Sequence, residues 1–286
     1  MTDTRMVIHA DDVGMCHGAN RAFVELSHLG TISAGSVMVP CPWFTDLAET
    51  AADDPTLDVG VHLTLTSEHR GYRWGPVSGA GPSSGLLDDR GFMWRRVADV
   101  RQHAHPDAVE AEWRAQLDRA LGAGIDVTHL DAHMGSSLAP EWCDRYVALG
   151  AEYGLPALIT RRLSDYGPRN HLADVTDADF DGFVQQAAAA GMPVFERVLE
   201  TNFRRPRGEP VDYATVLTDG LGGLVYAAFH PCRPGPGEVE VIEPHAHHVR
   251  VDEYELFRTD EWRAWLSAAP FAIATMRELR DEMRAR

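Results

Sequence analysis

From one end of the chain to the other, short apolar runs alternate with stretches whose apolar residues recur at helical spacing. A run such as residues 6–10 is too short for a buried helix and ends in polar, turn-forming residues, so it reads as a buried strand. Residues 20–29 carry apolar positions three and four apart and stop at Gly30, the signature of a helix and its C-terminal glycine. The same two signals return along the chain. Strands are expected at 32–39, 57–65, 127–130, 157–160, 193–198 and 224–229, and helices at 44–52, 106–123, 141–153, 177–190, 251–266 and 276–286. Such alternation selects a parallel sheet covered by helices. With seven or eight strands and no linker, the expectation is one α/β barrel forming a single domain over residues 1–286. A doubly wound open sheet is the alternative. The absence of Gly-x-Gly-x-x-Gly after the first strand argues against a dinucleotide site in either.

One stretch breaks the pattern. Residues 68–91 are rich in Gly, Pro and Ser, with Tyr72 and Trp74 between them. A loop of this length in a compact domain is usually functional, and its place after the third strand makes it a candidate lid or substrate wall. Tyr72, Trp74 and Trp94 could stack on a ligand ring or anchor the loop.

The net charge of −17 disfavours nucleic acid or an anionic membrane surface as partner, since both require basic patches. All 26 basic residues are arginine, which removes Schiff-base and lysine-nucleophile chemistry. Cys16, Cys41, Cys143 and Cys232 are scattered without a CxxC pair, so they read as free thiols in a reducing compartment. No apolar run of about 18 residues and no signal-like segment is present, and the expected location is cytoplasmic. Self-association into a homodimer is left open.

Four acidic-histidine islands end the apolar runs: His9-Ala-Asp11-Asp12, Val-His62-Leu-Thr, His129-Leu-Asp131-Ala-His133 and Phe-His230-Pro231. The C-terminal edge of a barrel gathers such groups, and one carboxylate with two imidazoles makes a divalent-metal site with open positions. Adjacent Asp11 and Asp12 would point to opposite sides of a regular strand, whereas a loop would let both turn inward. The bland alternative is a helix cap with a solvated neighbour. His62 sits in an apolar run and could be a satisfied core histidine. His129, Asp131 and His133 share one face if the strand continues, with ligand and supporting roles not separated by spacing. His230 is a candidate general acid. Arg161 and Arg162 could orient a carboxylate or form surface pairs, and His245, His247 and His248 read as a surface cluster.

Together the stretches Ala-Asp-Asp-Val-Gly, Gly-Val-His-Leu-Thr, Thr-His-Leu-Asp-Ala-His and the His-Pro at 230 resemble, in order and separation, the YdjC/ChbG-like carbohydrate deacetylases. The resemblance implies a TIM-barrel-like (β/α) barrel, seven-stranded or irregular, and hydrolysis of an N-acetyl group from an acetylated amino sugar. It implies Asp12, His62 and His133 as ligands of one divalent ion, Mg2+ or Zn2+ with Mn2+ or Co2+ also open. Asp11 would be the general base, His230 the acid, and His129 and Asp131 the supporting neighbours. The sequence departs from chitooligosaccharide-active members, where further histidines follow the equivalent of His133; here Met134-Gly135-Ser136-Ser137 stand instead. Hydrolysis of another amide or ester is the alternative, with non-haem iron oxygenation or sugar binding without catalysis behind it.

Overall fold

The computed structural model describes residues 3–166, 172, 174–235 and 237–286. Seven strands form one sheet: β1 (Arg5–Val13), β2 (Ala34–Val37), β3 (Val59–Leu63), β4 (Val127–Ala132), β5 (Arg197–Glu200), β6 (Leu224–Phe229) and β7 (Ala272–Ile273). Their order is β4-β3-β2-β1-β6-β5, and each pairing is parallel. β7 pairs with the first residues of β1, Arg5 and Met6, while β2 pairs from His9 onward. Every residue of β3 and β4 is buried, as expected of strands covered on both faces.

Residues 157–160 make a bridge to each side without forming a regular strand. Leu130 pairs with Ala157 and Thr160 with Phe195, just before β5. The Leu158 amide donates to Leu130 at 2.9 Å and the Phe195 amide to Ile159 at 2.9 Å. Backbone pairing therefore runs from β4 through this segment to β5 and back to β1, the path of a closed barrel. Pro156 has no amide hydrogen, and a segment this short supports only one bridge on each side.

One expectation needs correcting at the C-terminal end. The helix expected at 251–266 is two helices, His247–Phe257 and Asp260–Ala268. Thr259 divides them: its backbone is extended and its hydroxyl accepts the Trp262 amide, a cap that the apolar spacing alone conceals. The last helix, Met276–Arg284, opens with a Thr275–Glu278 capping box.

The 68–91 loop is tied down at several points. The Trp74 indole donates to the Thr66 carbonyl, Arg73 reaches Asp88 and the Met93 carbonyl, and the Trp94 indole donates to Gly85. Glu112, on helix Pro106–Gly122, accepts the amides of Val77 and Ser78 at 2.8 and 2.9 Å. The three aromatics expected to stack or anchor thus have anchoring contacts, with Tyr72 donating to the Met15 carbonyl. Among the described residues, no helix is long and apolar enough to cross a membrane.

Candidate metal centre and its pocket

β1 reaches the site through an irregularity. Its register with β2 shifts between Ala10 and Val13, and Asp12 takes left-handed backbone with φ 59. A bulge of this kind re-aims side chains. It brings both carboxylates to one pocket, which a regular strand would have prevented. Asp12 is 2% and Asp11 9% exposed.

His62 from β3 and His133, immediately after β4, meet Asp12 there. His133 Nδ1 lies 3.0 Å and His62 Nε2 3.4 Å from Asp12 Oδ1, which is buried. Each ring is fixed through its other nitrogen: His62 Nδ1 is 2.8 Å from Asp131 Oδ1, and His133 Nε2 is 3.1 Å from Glu68 Oε2. A ligating imidazole commonly hands its far N–H to a carboxylate, leaving the near nitrogen as a lone-pair donor. One oxygen and two such nitrogens, all within 4.8 Å of one another, suit a divalent ion. The donor set fits.

Electrostatics fit as well. Burial opposes ionisation of Asp12, but Arg250 at 2.8 Å and His133 hold its carboxyl well below the usual range. Burial likewise works against charge on His133, but Glu68 and Asp12 push it up to about 9. Against burial, Asp131 and Asp12 raise His62 well above its ordinary value. The carboxylates around them thus draw protons onto both imidazoles.

Asp11 and His230 border the same cavity of about 260 Å³, whose lining includes Glu68, Met134, Phe203 and Glu243. Burial raises the Asp11 carboxyl well above its ordinary value. Its Oδ1 faces His9 Nδ1 at 2.6 Å and its Oδ2 lies 3.7 Å from His230 Nε2. His230 Nδ1 is 2.9 Å from Thr201 Oγ1, whose hydroxyl donates to Glu253 Oε1 at 2.7 Å. Thr201 therefore accepts from His230 Nδ1–H, which leaves the Nε2 lone pair facing Asp11. Burial pushes the His230 ring well below its ordinary value, so it is neutral.

A family model described as YdjC-like protein matches residues 5–268. The chain belongs to the YdjC-like family. A carbohydrate deacetylase of Brevibacillus brevis is 32% identical over 226 residues, 78% of this chain and 86% of that protein. Carbohydrate deacetylase 1 of Listeria innocua is 28% identical over 96% of this chain and its own full length. A carbohydrate deacetylase of Thermus thermophilus is 33% identical over 57% of this chain and 56% of that protein. A solved structure from Enterococcus faecalis, provisionally assigned to cellobiose-phosphate cleavage, superposes with a TM-score of 0.76 at 18% identity, over 98% of this chain and 99% of that one. That likeness concerns the fold alone.

In this YdjC-like chain all four islands contribute to one pocket. Asp11, Asp12, His62, His133 and His230 share the pocket. Asp131 stands directly behind His62, whereas His129 lies deeper and contacts His9. Arg161 pairs with exposed Glu196, and His247 and His248 turn to Arg207 and to the Arg205 carbonyl. Neither His247 nor His248 enters a group that could hold an ion among the described residues. Glu68, Arg250 and Glu253 were not singled out. Charged residues in loops and on helices are usually solvated, and only the fold reveals Arg250 and Glu253 as buried and Glu68 as partly buried.

Proposed function

We propose that this YdjC-like chain removes the N-acetyl group from an acetylated amino sugar or oligosaccharide at one divalent metal ion. The observation that carries the reading is the convergence of buried Asp12 Oδ1 with two imidazole nitrogens within 4.8 Å, each ring already committed to a carboxylate through its far nitrogen. The deacetylase names of the relatives supply the substrate class. Mg2+ or Zn2+ is the resident ion proposed, with Mn2+ and Co2+ suited to the same ligands. The buried free thiols support a reducing, cytoplasmic setting.

Asp12, His62 and His133 would hold the ion, which when bound supplies a Lewis acid that polarises the amide carbonyl and acidifies water. Asp11 takes a proton from water as it attacks the carbonyl carbon. Burial, which raises its affinity for protons, strengthens it as the acceptor. His230 begins neutral, so it can donate only after receiving a proton. Asp11 Oδ2 lies 3.7 Å from His230 Nε2, so a closer approach of about 0.5–1 Å puts the pair within hydrogen-bond reach for the transfer. His230 then protonates the departing nitrogen, the C–N bond breaks, and acetate and a free amino sugar leave. Thr201 and Glu253 hold the ring in the orientation this needs.

Two histidines and a carboxylate also serve oxygen-activating iron sites. The base and acid beside the triad favour hydrolysis. The deciding experiment is a panel of N-acetylated amino sugars, O-acetylated sugars and simple amides, with acetate and free amine both measured. Amine and acetate in equal amounts from an N-acetyl sugar support the proposal. Turnover confined to O-acetyl sugars or non-sugar amides would overturn it.

A further inference from the structure

His9 and His129 are fully buried imidazoles that no step above uses. They belong to a continuous run of polar contacts through the barrel core. Asp11 Oδ1 lies 2.6 Å from His9 Nδ1, and His9 Nε2 lies 2.9 Å from His129 Nε2. His129 Nδ1 is 2.9 Å from Thr128 Oγ1, which donates to Asp58 Oδ1 at 2.5 Å. Asp58 Oδ2 accepts the Arg277 amide at 2.7 Å, in the first turn of the last helix. Asp58 immediately precedes β3, while Asp11 lies near the end of β1, so the run connects the two ends of the barrel.

The run is built into the fold. No side chain from Asp11 through His9, His129 and Thr128 to Asp58 is more than 9% exposed. A Cβ on Gly60 would overlap the His129 ring, so the glycine makes the space the imidazole occupies. His9 stacks on Tyr226 with centroids 4.8 Å apart. Filling a core with imidazoles instead of apolar side chains costs stability unless each polar atom is matched. Burial pushes both rings down to about 4, so each carries one donor and one acceptor nitrogen. Because the Thr128 hydroxyl donates to Asp58, His129 Nδ1–H donates to Thr128, His9 Nε2–H donates to His129 Nε2, and His9 Nδ1 is left to accept from a protonated Asp11 Oδ1. The tautomer of each ring is thereby set by its neighbour, and a change at Thr128 is felt at His9.

We propose that His9, His129, Thr128 and Asp58 form a positioning chain that fixes the Asp11 carboxyl group, holding Oδ1–H against His9 Nδ1 so that Oδ2 faces the pocket and His230. The proposal rests on the reading of Asp11 as the proton-handling carboxylate. None of the four touches substrate. They act through Asp11.

Thr128→Val removes the central hydroxyl and keeps the shape, and Thr128→Ser restores it. The first readout is the 15N-histidine NMR spectrum of the metal-free protein, which reports tautomers without reference to activity. The wild type and T128S should show His9 and His129 as neutral rings of fixed tautomer, and T128V should alter both. The second readout, on protein reloaded with metal, is the split between kcat and KM. T128V should lower kcat about tenfold, the scale seen when a supporting partner is lost, with KM and metal affinity within about twofold and T128S recovering kcat. Should T128V fail to fold, Asp58→Asn carries the same two readouts from the end of the chain. An unchanged His9 signal overturns the proposal, as does an altered signal with unchanged kcat. If the wild type releases acetate from no sugar, the deacetylase reading fails separately, and the His9 signal alone then decides the chain.

Discussion

Asp12 combines three demands in one residue. It adopts left-handed backbone at φ 59, gives one oxygen to Arg250 at 2.8 Å, and leaves the other facing His62 and His133. Such backbone in a residue other than glycine costs energy and persists where the surroundings enforce it, commonly at functional sites. Asp12→Asn keeps the shape and removes the charge. Metal affinity measured by calorimetry should fall at least about tenfold in that variant, and unchanged affinity would remove Asp12 from the ligand set. Asp11→Asn should behave differently, with turnover reduced roughly a hundredfold or more and metal content near that of the wild type. Acetate release alongside metal analysis checks the pair, and full activity in D11N would remove Asp11 as base. The ligand candidates were legible because histidines and aspartates at successive strand ends can only converge if the strands share an edge. The direction of two adjacent aspartates was not, because it depends on a bulge that residue types do not announce. Glu68, Arg250 and Glu253 escaped for another reason: each is distant in sequence from the group it holds, and an acidic or basic residue on a helix or loop looks solvated until the fold buries it.

At the scale of elements, small residues and caps decide what the apolar pattern leaves open. Gly60 in β3 faces the His129 ring, and a methyl group there would overlap it. Gly60→Ala should therefore destabilise the protein by roughly 1–3 kcal/mol, visible as a lowered Tm, since the ring cannot withdraw into a packed core. A Tm equal to that of the wild type would mean the His129 pocket yields more easily than its packing implies. Thr259 ends one helix and begins the next through its bond from the Trp262 amide. The helical spacing over 251–266 runs through this break because both helices place apolar residues against the same core. Residues 157–160 show the converse: their apolar run favours a strand, but a proline before and two arginines after leave single bridges. Helix and strand alternation was legible; the boundaries were set by turn and cap chemistry.

The whole molecule links its stability to the same site. In the metal-free protein His133 is held up at about 9 by Glu68 and Asp12 against the cost of burial, while an unfolded histidine titrates near its ordinary 6.5. The folded state therefore binds this proton more tightly, and the stabilisation is fully present below about 6.5. It is lost as pH rises through about 9. Stability of the metal-free protein should decline across that window, and added metal should restore more Tm at pH 9 than at pH 6, because it no longer displaces protons. A stabilisation by metal that does not grow with pH would contradict the assignment of His133. The barrel itself gathers these groups from β1, the ends of β3 and β4, and the segment after β6, an arrangement readable from the sequence once the islands were placed at strand ends. The most direct test strips the protein of metal and follows acetate release from an N-acetylated amino sugar as one divalent ion is titrated back. Activity should be absent at the start and level off near one ion per chain, and acetate release that persists unchanged in the stripped protein would contradict a metal-dependent deacetylase.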